Sequence, residues 1–304
     1  MTDADRCLLP NIIPNESDTT MNDVTLRGGR RVPSLGLGTW RIGERAGQRS
    51  LEVAAIRRAV QIGYRLFDTA EMYGDGGAEE VLGQGLAECI AAGEIRREDV
   101  FVVSKVLPSN ASRRGVAQAC ARSLKRLRVE RIDLYLLHWR GAVPLDETVE
   151  VMERLAAEGV IGAWGVSNFD VDDMEELWSL AAGSACVANQ VYYSMAERGI
   201  EFDLLPWQRQ RQVAAMAYCP IGQGALAAHP ALARLGNARA LTAAQIALAW
   251  VLRQPDVVAI PKAVSDAHQR ENWAAANVTL SKAELAAIDA AFPPPRRKRA
   301  LAMT

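Results

Sequence analysis

Asp68 and Tyr73 stand five residues apart, beside a run whose pattern predicts a buried strand. Residues 64–67 are mostly apolar and rich in aromatic side chains, and the run ends at the carboxylate of Asp68. Tyr73 follows in the next loop, where Gly74 lets the chain turn freely. A strand with an acid at its end and a phenol in the next loop places both groups at the same end of the predicted sheet. There they can exchange protons with a bound molecule.

The rest of the chain repeats a strand-then-helix pattern. Alternating strands and helices predict a parallel sheet with helices outside it. Eight such units in 304 residues predict an α/β fold, the (β/α)8 or TIM barrel. Gly28 and Gly29, between two short extended segments, predict an N-terminal β-hairpin over residues 24–33. The predicted strands cover residues 34–40, 64–68, 100–105, 132–138, 161–168, 186–193, 213–218 and 257–262. The predicted helices cover residues 49–63, 77–93, 112–128, 144–159, 170–182, 204–211, 242–254, 266–277 and 281–292.

A doubly wound sheet is the competing architecture. Its glycine fingerprint should follow the first strand, whereas the nearest match here is residues 222–227, late in the chain. We therefore divide the chain into three parts. Residues 1–20 are polar and predict a disordered extension, residues 21–295 form the barrel, and residues 296–304 form a basic tail. We expect the run Arg296–Arg299 in this tail to be solvated, or to form a weak contact with an anion.

The composition of the chain limits its expected partners, its compartment and the kinds of site that it can contain. The formal net charge is −1, which favours neither nucleic acid nor an anionic membrane surface as a partner. We find no run of eighteen apolar residues and no signal peptide. The five cysteines are widely spaced and form no Cys-x-x-Cys motif, which favours a reducing compartment, the cytoplasm, and argues against disulfides or structural zinc. With only three histidines and no His-x-x-x-His, we expect no metal site. His229 stands beside Pro230, and we expect it in a surface loop.

Three consecutive predicted strands end in an ionisable residue, namely Asp68, Lys105 and His138. The carboxyl ends of the strands form the active face of such a barrel. Each residue alone is equally consistent with an ion pair or a packed side chain, and Tyr73 alone with a packed loop aromatic. Together, at matching positions, the four predict an active site. A glycosidase on this fold needs two strand-end carboxylates, and only Asp68 qualifies.

Seven sequence blocks, in order and at compatible spacing, resemble the aldo-keto reductase family between about residue 24 and residue 292. The blocks are residues 37–40 (Leu-Gly-Thr-Trp), 63–70 with Tyr73 and Gly74, 104–105, 133–139 (Asp-Leu-Tyr-Leu-Leu-His-Trp), 165–169 (Gly-Val-Ser-Asn-Phe), 189–191 and 260–262 (Ile-Pro-Lys). The resemblance implies a catalytic tetrad of Asp68, Tyr73, Lys105 and His138, all present without substitution. The branch it resembles is bacterial and includes methylglyoxal and general aldehyde reductases.

The chemistry of these side chains fits carbonyl reduction. No protein side chain donates hydride, so a nicotinamide must be held in the barrel mouth. A phenol with a pKa of about 10 can supply the proton, and we expect Lys105 to lower the pKa of Tyr73. Asp68 would keep Lys105 charged and oriented, and His138 would direct the carbonyl oxygen toward Tyr73.

The resemblance also implies a set of cofactor-binding residues. Ser167, Asn168 and Gln190 are expected to bind the nicotinamide carboxamide, and Tyr218 to stack on its ring. The remaining contacts are expected from Thr39, from Pro220, Gly222 and Gly224 along the pyrophosphate, and from Lys262, His268, Glu271 and Asn272 at the adenosine end.

Two residues depart from the common family pattern. Ala263 follows Lys262 where many members have Ser or Thr, and His268 stands where many have Arg. Arg is the better partner for a 2′-phosphate because it is always charged and binds in a bidentate manner. Lys262 remains and Arg270 lies close in sequence, so we expect NADPH rather than NADH.

Trp40 and Trp139 flank the predicted mouth and form an aromatic wall for the substrate. The tail is too short to enclose a large ligand, which favours small aldehydes, 2-oxoaldehydes and aromatic aldehydes. We therefore predict a monomeric, NADPH-dependent reductase of small aldehydes and ketones, with no nucleic-acid or membrane partner. The alternatives are a sugar or polyol dehydrogenase and an NADP-binding regulatory subunit with little turnover.

Overall fold

A short antiparallel hairpin precedes the barrel, as the sequence predicts. The computed structural model describes residues 23–304, so the proposed extension at residues 1–20 lies outside the described residues. Strands β1 (Asp23–Thr25) and β2 (Arg31–Pro33) pair antiparallel, with Val24 opposite Val32. Gly28 and Gly29 turn the chain with φ values of 90° and 89°, which side chains disfavour. Both valines pack into the apolar cluster inside the barrel, so the hairpin covers one end of the barrel.

Eight parallel strands form the barrel and pair with their neighbours in chain order. They are β3 (Leu37–Gly38), β4 (Leu66–Asp68), β5 (Phe101–Val106), β6 (Ile132–Leu137), β7 (Ile161–Ser167), β8 (Ala188–Tyr192), β9 (Ala214–Tyr218) and β10 (Val257–Ala259). Parallel bridges from Leu35 to Ala259 and from Gly38 to Lys262 bring the last strand back to the first. A Cβ at Gly38 would lie 2.7 Å from the backbone oxygen of Ile260, so glycine allows this closure.

Helices cover the outside of the barrel. They are α1 (Arg49–Ile62), α2 (Gly77–Ala91), α3 (Arg113–Leu127), α4 (Leu145–Ala157), α5 (Val171–Ser179), α6 (Leu204–Gln210), α7 (Pro230–Asn237), α8 (Ala243–Leu252), α9 (Asp266–Ala275) and α10 (Lys282–Ala291). Ser112 caps the N-terminus of α3, since its side chain accepts the backbone N–H of Gly115. Within residues 23–304, no helix combines the length and apolar character needed to cross a membrane.

Helix α7 is absent from the sequence-based prediction, which placed His229 in a surface loop. Pro230 is the first residue of this helix, where its missing N–H costs nothing. His229 is half-buried, and its ring lies 4.7 Å from that of Phe292. His229 itself lies in the non-helical connection before α7, as predicted, but it is half-buried rather than on the surface.

The run Arg296–Arg299 is exposed, as the sequence predicts, and one of its side chains also contacts carboxylates of the barrel. Lys298 forms ion pairs with Asp170 at 3.3 Å and with Asp203 at 3.0 Å. These carboxylates belong to the segments after β7 and β8, so one lysine ties the tail to two βα-connections. Leu301 then packs against the core, and Met303 reaches the mouth of the barrel.

Candidate active site

Asp68 ends β4 at the mouth, and both of its carboxylate oxygens are engaged. Oδ2 lies 2.8 Å from Nζ of Lys105, and Oδ1 accepts the side-chain amide of Gln190 at 2.8 Å. The residue is 2% exposed, so these partners replace the water that a carboxylate otherwise needs. The carboxylate is thereby fixed as a buried counter-charge.

Lys105, near the end of β5, uses all three ammonium donors. Nζ donates to Asp68 at 2.8 Å, to the backbone oxygen of Thr69 at 2.8 Å and to Oη of Tyr73 at 3.2 Å. Complete burial disfavours the ammonium form, but Asp68 and Tyr73 outweigh that effect and raise the pKa of Lys105 above its usual value. The side chain is therefore a buried, oriented cation.

Tyr73 lies in the short turn that follows β4, with its ring over the Lys105 ammonium at 4.7 Å. Burial raises the pKa of Tyr73 above its ordinary value, while Lys105 acts in the opposite direction. Lys105 thus lowers the pKa of Tyr73, as expected, but burial raises this pKa by more. The pKa of Tyr73 in the folded protein is therefore higher than that of a free phenol. The phenol is protonated at neutral pH. Because its oxygen accepts from Lys105, its hydrogen can point into the mouth.

His138 directly follows β6 and faces Tyr73. The two rings lie 5.7 Å apart in an edge-to-face arrangement, and the ring of Trp139 lies 4.9 Å from His138. Burial, followed by the charge of Lys105, lowers the pKa of His138 to about 2, so the imidazole is neutral. Its Nδ1 is buried with no hydrogen-bond partner among residues 23–304.

A polar network follows β7 and β8 beside the tetrad. Ser167 Oγ donates to the backbone oxygen of Gln190 at 2.8 Å, and Asn168 Nδ2 donates to Ser167 Oγ at 3.2 Å. The hydroxyl of Tyr218 donates to Asn168 Oδ1 at 2.9 Å. Asn168 has a φ of 59°, a conformation that non-glycine residues rarely adopt and that is common at functional sites. The network holds these polar groups at one side of the mouth.

One cavity of about 820 Å³ brings most of the predicted residues together. It extends from the tetrad past Tyr218 to the exposed Lys262 and His268. The predicted residues that line it are Trp40, Asp68, Tyr73, His138, Trp139, Ser167, Asn168, Gln190, Tyr218, Pro220, Gly224, Lys262, His268, Glu271 and Asn272.

Three predicted residues do not line this cavity. Lys105 is fully buried beneath Tyr73, as its contacts require. Thr39 is also fully buried, and its hydroxyl donates to the backbone oxygen of Asp68 at 3.0 Å. Gly222 has a φ of 59°, and its α-carbon faces Leu226. The roles of Thr39 and Gly222 in cofactor binding stay predictions.

The cavity wall also contains residues to which the sequence analysis gave no individual role. Arg41 follows Trp40 in sequence, and Met72 precedes Tyr73. Their position beside predicted site residues could have indicated that they line the same cavity. Met303 and Thr304 come from the folded-back tail, for which the sequence offers no signal. The full set is Gly38, Arg41, Met72, Cys219, Ile221, Gln223, Ala227, Thr242, Ala244, Ile260, Pro261, Met303 and Thr304.

The far end of the cavity is formed by the loop after β10 and the first turns of α9. Lys262 forms no ion pair with another residue in the described part of the chain. Arg270 pairs with Asp266 at 3.2 Å, so part of its charge is directed there. Among residues 23–304, no group of three or more His, Cys, Asp or Glu side chains could hold a metal ion.

The sequence is similar to known enzymes over most of its length. Residues 34–292 match the model of the aldo/keto reductase family. Methylglyoxal reductase YeaE of Escherichia coli (strain K12) is 47% identical over 285 residues, which cover 92% of this chain and 98% of that enzyme. Glyoxal reductase of Bacillus subtilis (strain 168) is 33% identical over 273 residues, covering 90% and 94% of the two chains.

Solved structures agree with this similarity. An aldo/keto reductase from Klebsiella pneumoniae, crystallised in complex with NADP and acetate, superposes with a TM-score of 0.88 at 49% identity. The match covers 93% of this chain and 100% of that one. From the matched family model, the similar sequences and the shared barrel, we conclude that the chain belongs to the aldo/keto reductase family.

Proposed function

We propose that this protein reduces small aldehydes and ketones with NADPH and that Tyr73 donates the proton. The observation that carries the proposal is the 3.2 Å hydrogen bond from Lys105 to Tyr73, beneath a cavity that the phenol lines. When bound, NADPH supplies the hydride that no side chain can provide. The side chains of the mouth then have to orient the carbonyl and deliver one proton to its oxygen.

The four tetrad residues take distinct roles in this proposal. Tyr73 is the general acid, because it is protonated and its oxygen is already held by Lys105. Lys105 stabilises the phenolate that forms, and Asp68 holds Lys105 in place. His138, a neutral imidazole, binds the carbonyl oxygen and directs it toward Tyr73.

The cavity fits a long dinucleotide. Its volume of about 820 Å³ lies in the range of cofactor sites, and it joins the tetrad to an exposed lysine that has no carboxylate partner in the described part of the chain. Tyr218 offers an aromatic face beside the Ser167–Asn168 network. Gly224, with a φ of 94°, lets the backbone come close to a pyrophosphate. We propose Lys262 and His268 as partners of the 2′-phosphate.

Small 2-oxoaldehydes and aromatic aldehydes are the substrates we propose. Trp40, Trp139 and Met72 give the mouth an apolar, aromatic wall. The relative at 47% identity is a methylglyoxal reductase, which supports methylglyoxal as the first substrate to test.

The test mixes purified protein with NADPH and methylglyoxal or 4-nitrobenzaldehyde and follows NADPH absorbance and alcohol formation. We expect one alcohol for each NADPH oxidised. A second arm offers NADP⁺ with sugars and polyols. Faster turnover in that arm would favour a dehydrogenase, and tight NADPH binding without turnover of any carbonyl would favour a regulatory subunit; either result would overturn the proposal.

We further propose that the protein works as a monomer in the cytoplasm. The four cysteines of residues 23–304 are all free, which supports a reducing compartment. Light scattering after size exclusion tests the monomer, and fractionation of the native cell tests the compartment.

A further inference from the structure

Arg41 is a cation on the cavity wall that the proposed reaction does not use. Its guanidinium lies over the ring of Trp40, 4.4 Å from the centroid, and its side chain is exposed to the cavity. Within residues 23–304, Arg41 forms no salt bridge and no side-chain hydrogen bond. Other arginines of the surface, such as Arg49 with Glu80 and Arg209 with Asp256, direct their donors to a carboxylate. Arg41 therefore keeps its hydrogen-bond donors available for a ligand.

The backbone fixes where this cation stands. The N–H of Ile42 donates to the backbone oxygen of Thr39 at 3.0 Å, which closes a tight turn with Arg41 at its third position. Arg41 has a φ of 62°, in the left-handed region where glycine or asparagine is preferred. Strained backbone of this kind clusters at functional sites, so the turn supports a role for Arg41 at the cavity that it lines.

The other ionisable side chains of the cavity already have a role in the proposed reaction or in cofactor binding. Asp68 is neutralised by Lys105, and Lys262, His268 and Glu271 stand at the end proposed for the adenosine and its 2′-phosphate. Arg41 differs from them because it stacks on Trp40, which lines the mouth with Trp139 and Met72. Its charge thus lies beside the aromatic wall proposed for the substrate.

We propose that Arg41 binds a carboxylate of the substrate, so that this enzyme prefers carbonyl compounds that also carry a carboxylate. The planar guanidinium matches a carboxylate with two parallel hydrogen bonds, and the indole beneath it holds the plane in place. The substrate class is acidic aldehydes, in which the carbonyl reaches Tyr73 while the carboxylate stays at Arg41. This inference rests on the proposed reductase function and names the specificity of the same site.

The experiment compares matched aromatic aldehydes at saturating NADPH. The acidic substrates are 3- and 4-carboxybenzaldehyde, and the neutral one is 4-nitrobenzaldehyde, which has a similar shape. The variants are Arg41→Gln, Arg41→Lys and the control Arg45→Gln, an exposed arginine four residues later that does not line the cavity. Each variant is compared with wild type on the same substrate, so differences in intrinsic reactivity cancel. NADPH affinity is measured separately by fluorescence titration.

In Arg41→Gln we expect kcat/KM for at least one acidic aldehyde to fall about tenfold or more, because a hydrogen-bonded ion pair is lost. We expect kcat/KM for 4-nitrobenzaldehyde and the NADPH affinity to change less than about twofold. Arg41→Lys should keep part of the preference, and Arg45→Gln all of it. Equal losses on acidic and neutral substrates, weaker NADPH binding, or wild type that reduces only the neutral aldehyde would overturn the inference. If wild type reduces neither kind, the proposed function itself fails.

Discussion

The carboxylate of Glu71 accepts the backbone N–H of Leu107, with 2.8 Å between Oε1 and the nitrogen. Leu107 stands two residues after Lys105, and Glu71 two residues before Tyr73. The bond therefore ties the loop of the proposed proton donor to the strand of its lysine partner. The same carboxylate also contacts Asn110 at 2.9 Å and Arg122 at 3.3 Å. The sequence offered no role for Glu71, because its partners lie more than thirty residues away.

Glu71→Ala tests how much the contacts of this carboxylate contribute to the stability of the fold. The substitution removes the partner of a partly buried backbone N–H together with the contacts to Asn110 and Arg122, so we expect the free energy of unfolding to fall by about 1–3 kcal/mol. Urea denaturation measures the change. Glu80→Ala is the control, since Glu80 forms only an exposed ion pair with Arg49 and should change stability by less than about 0.5 kcal/mol. Equal effects of the two substitutions would contradict this role for Glu71.

The buried pair of Asp68 and Lys105 should behave as a coupled unit in denaturation. Lys105→Met leaves the 2% exposed Asp68 without its counter-charge, and we expect a loss of about 3–5 kcal/mol. Adding Asp68→Asn removes that charge and should restore part of the stability. If the losses of the two single variants simply add in the double variant, the ion pair is not coupled as its 2.8 Å separation indicates.

His138 should make stability fall as the pH falls. Its pKa is lowered from 6.5 to about 2 in the folded protein, so below pH 6.5 the unfolded chain binds a proton that the folded one does not. The contribution is fully present above pH 6.5 and is lost on acidification, by about 1.4 kcal/mol per pH unit. His138→Asn removes this contribution to the pH dependence of the free energy of unfolding. Urea denaturation between about pH 7 and pH 5 measures it, and parallel pH dependences of wild type and variant would refute the buried neutral imidazole.

Lys262 and His268 should decide between the two nicotinamide cofactors. Lys262→Met should weaken NADPH binding about tenfold and leave NADH binding within about twofold, because only NADPH carries the 2′-phosphate. His268→Arg should strengthen NADPH binding, since arginine stays charged at neutral pH. Fluorescence titration measures both. The control is Lys282→Met, an exposed lysine outside the cavity. Similar changes for NADH and NADPH would place the phosphate elsewhere.

Local patterns predicted the elements that position the tetrad. Strands β4, β5 and β6 are short and mostly apolar runs with Asp68, Lys105 and His138 at or beside their ends, so these positions could be predicted without a structure. Helix α7 was missed because Pro230 and its small neighbours are typical of a loop, although proline is well suited to a first helical turn.

Contacts between distant parts of the chain were not predictable. Lys298 pairs with carboxylates 128 and 95 residues earlier in the chain, and no local pattern specifies such partners. The same holds for the net pKa shift of Tyr73, which depends on how deeply the packed loops bury it. Arg41 is recognisable only once its lack of a partner and its position over Trp40 are known.

The most direct test of the account is the turnover of Tyr73→Phe with NADPH and methylglyoxal. Phenylalanine keeps the ring in place and removes only the hydroxyl that Lys105 holds at 3.2 Å. We expect kcat/KM to fall at least about 100-fold, the usual effect of removing a general acid, while NADPH affinity stays within about twofold of wild type. Turnover of Tyr73→Phe within about threefold of wild type, with normal cofactor binding, would contradict proton donation by Tyr73.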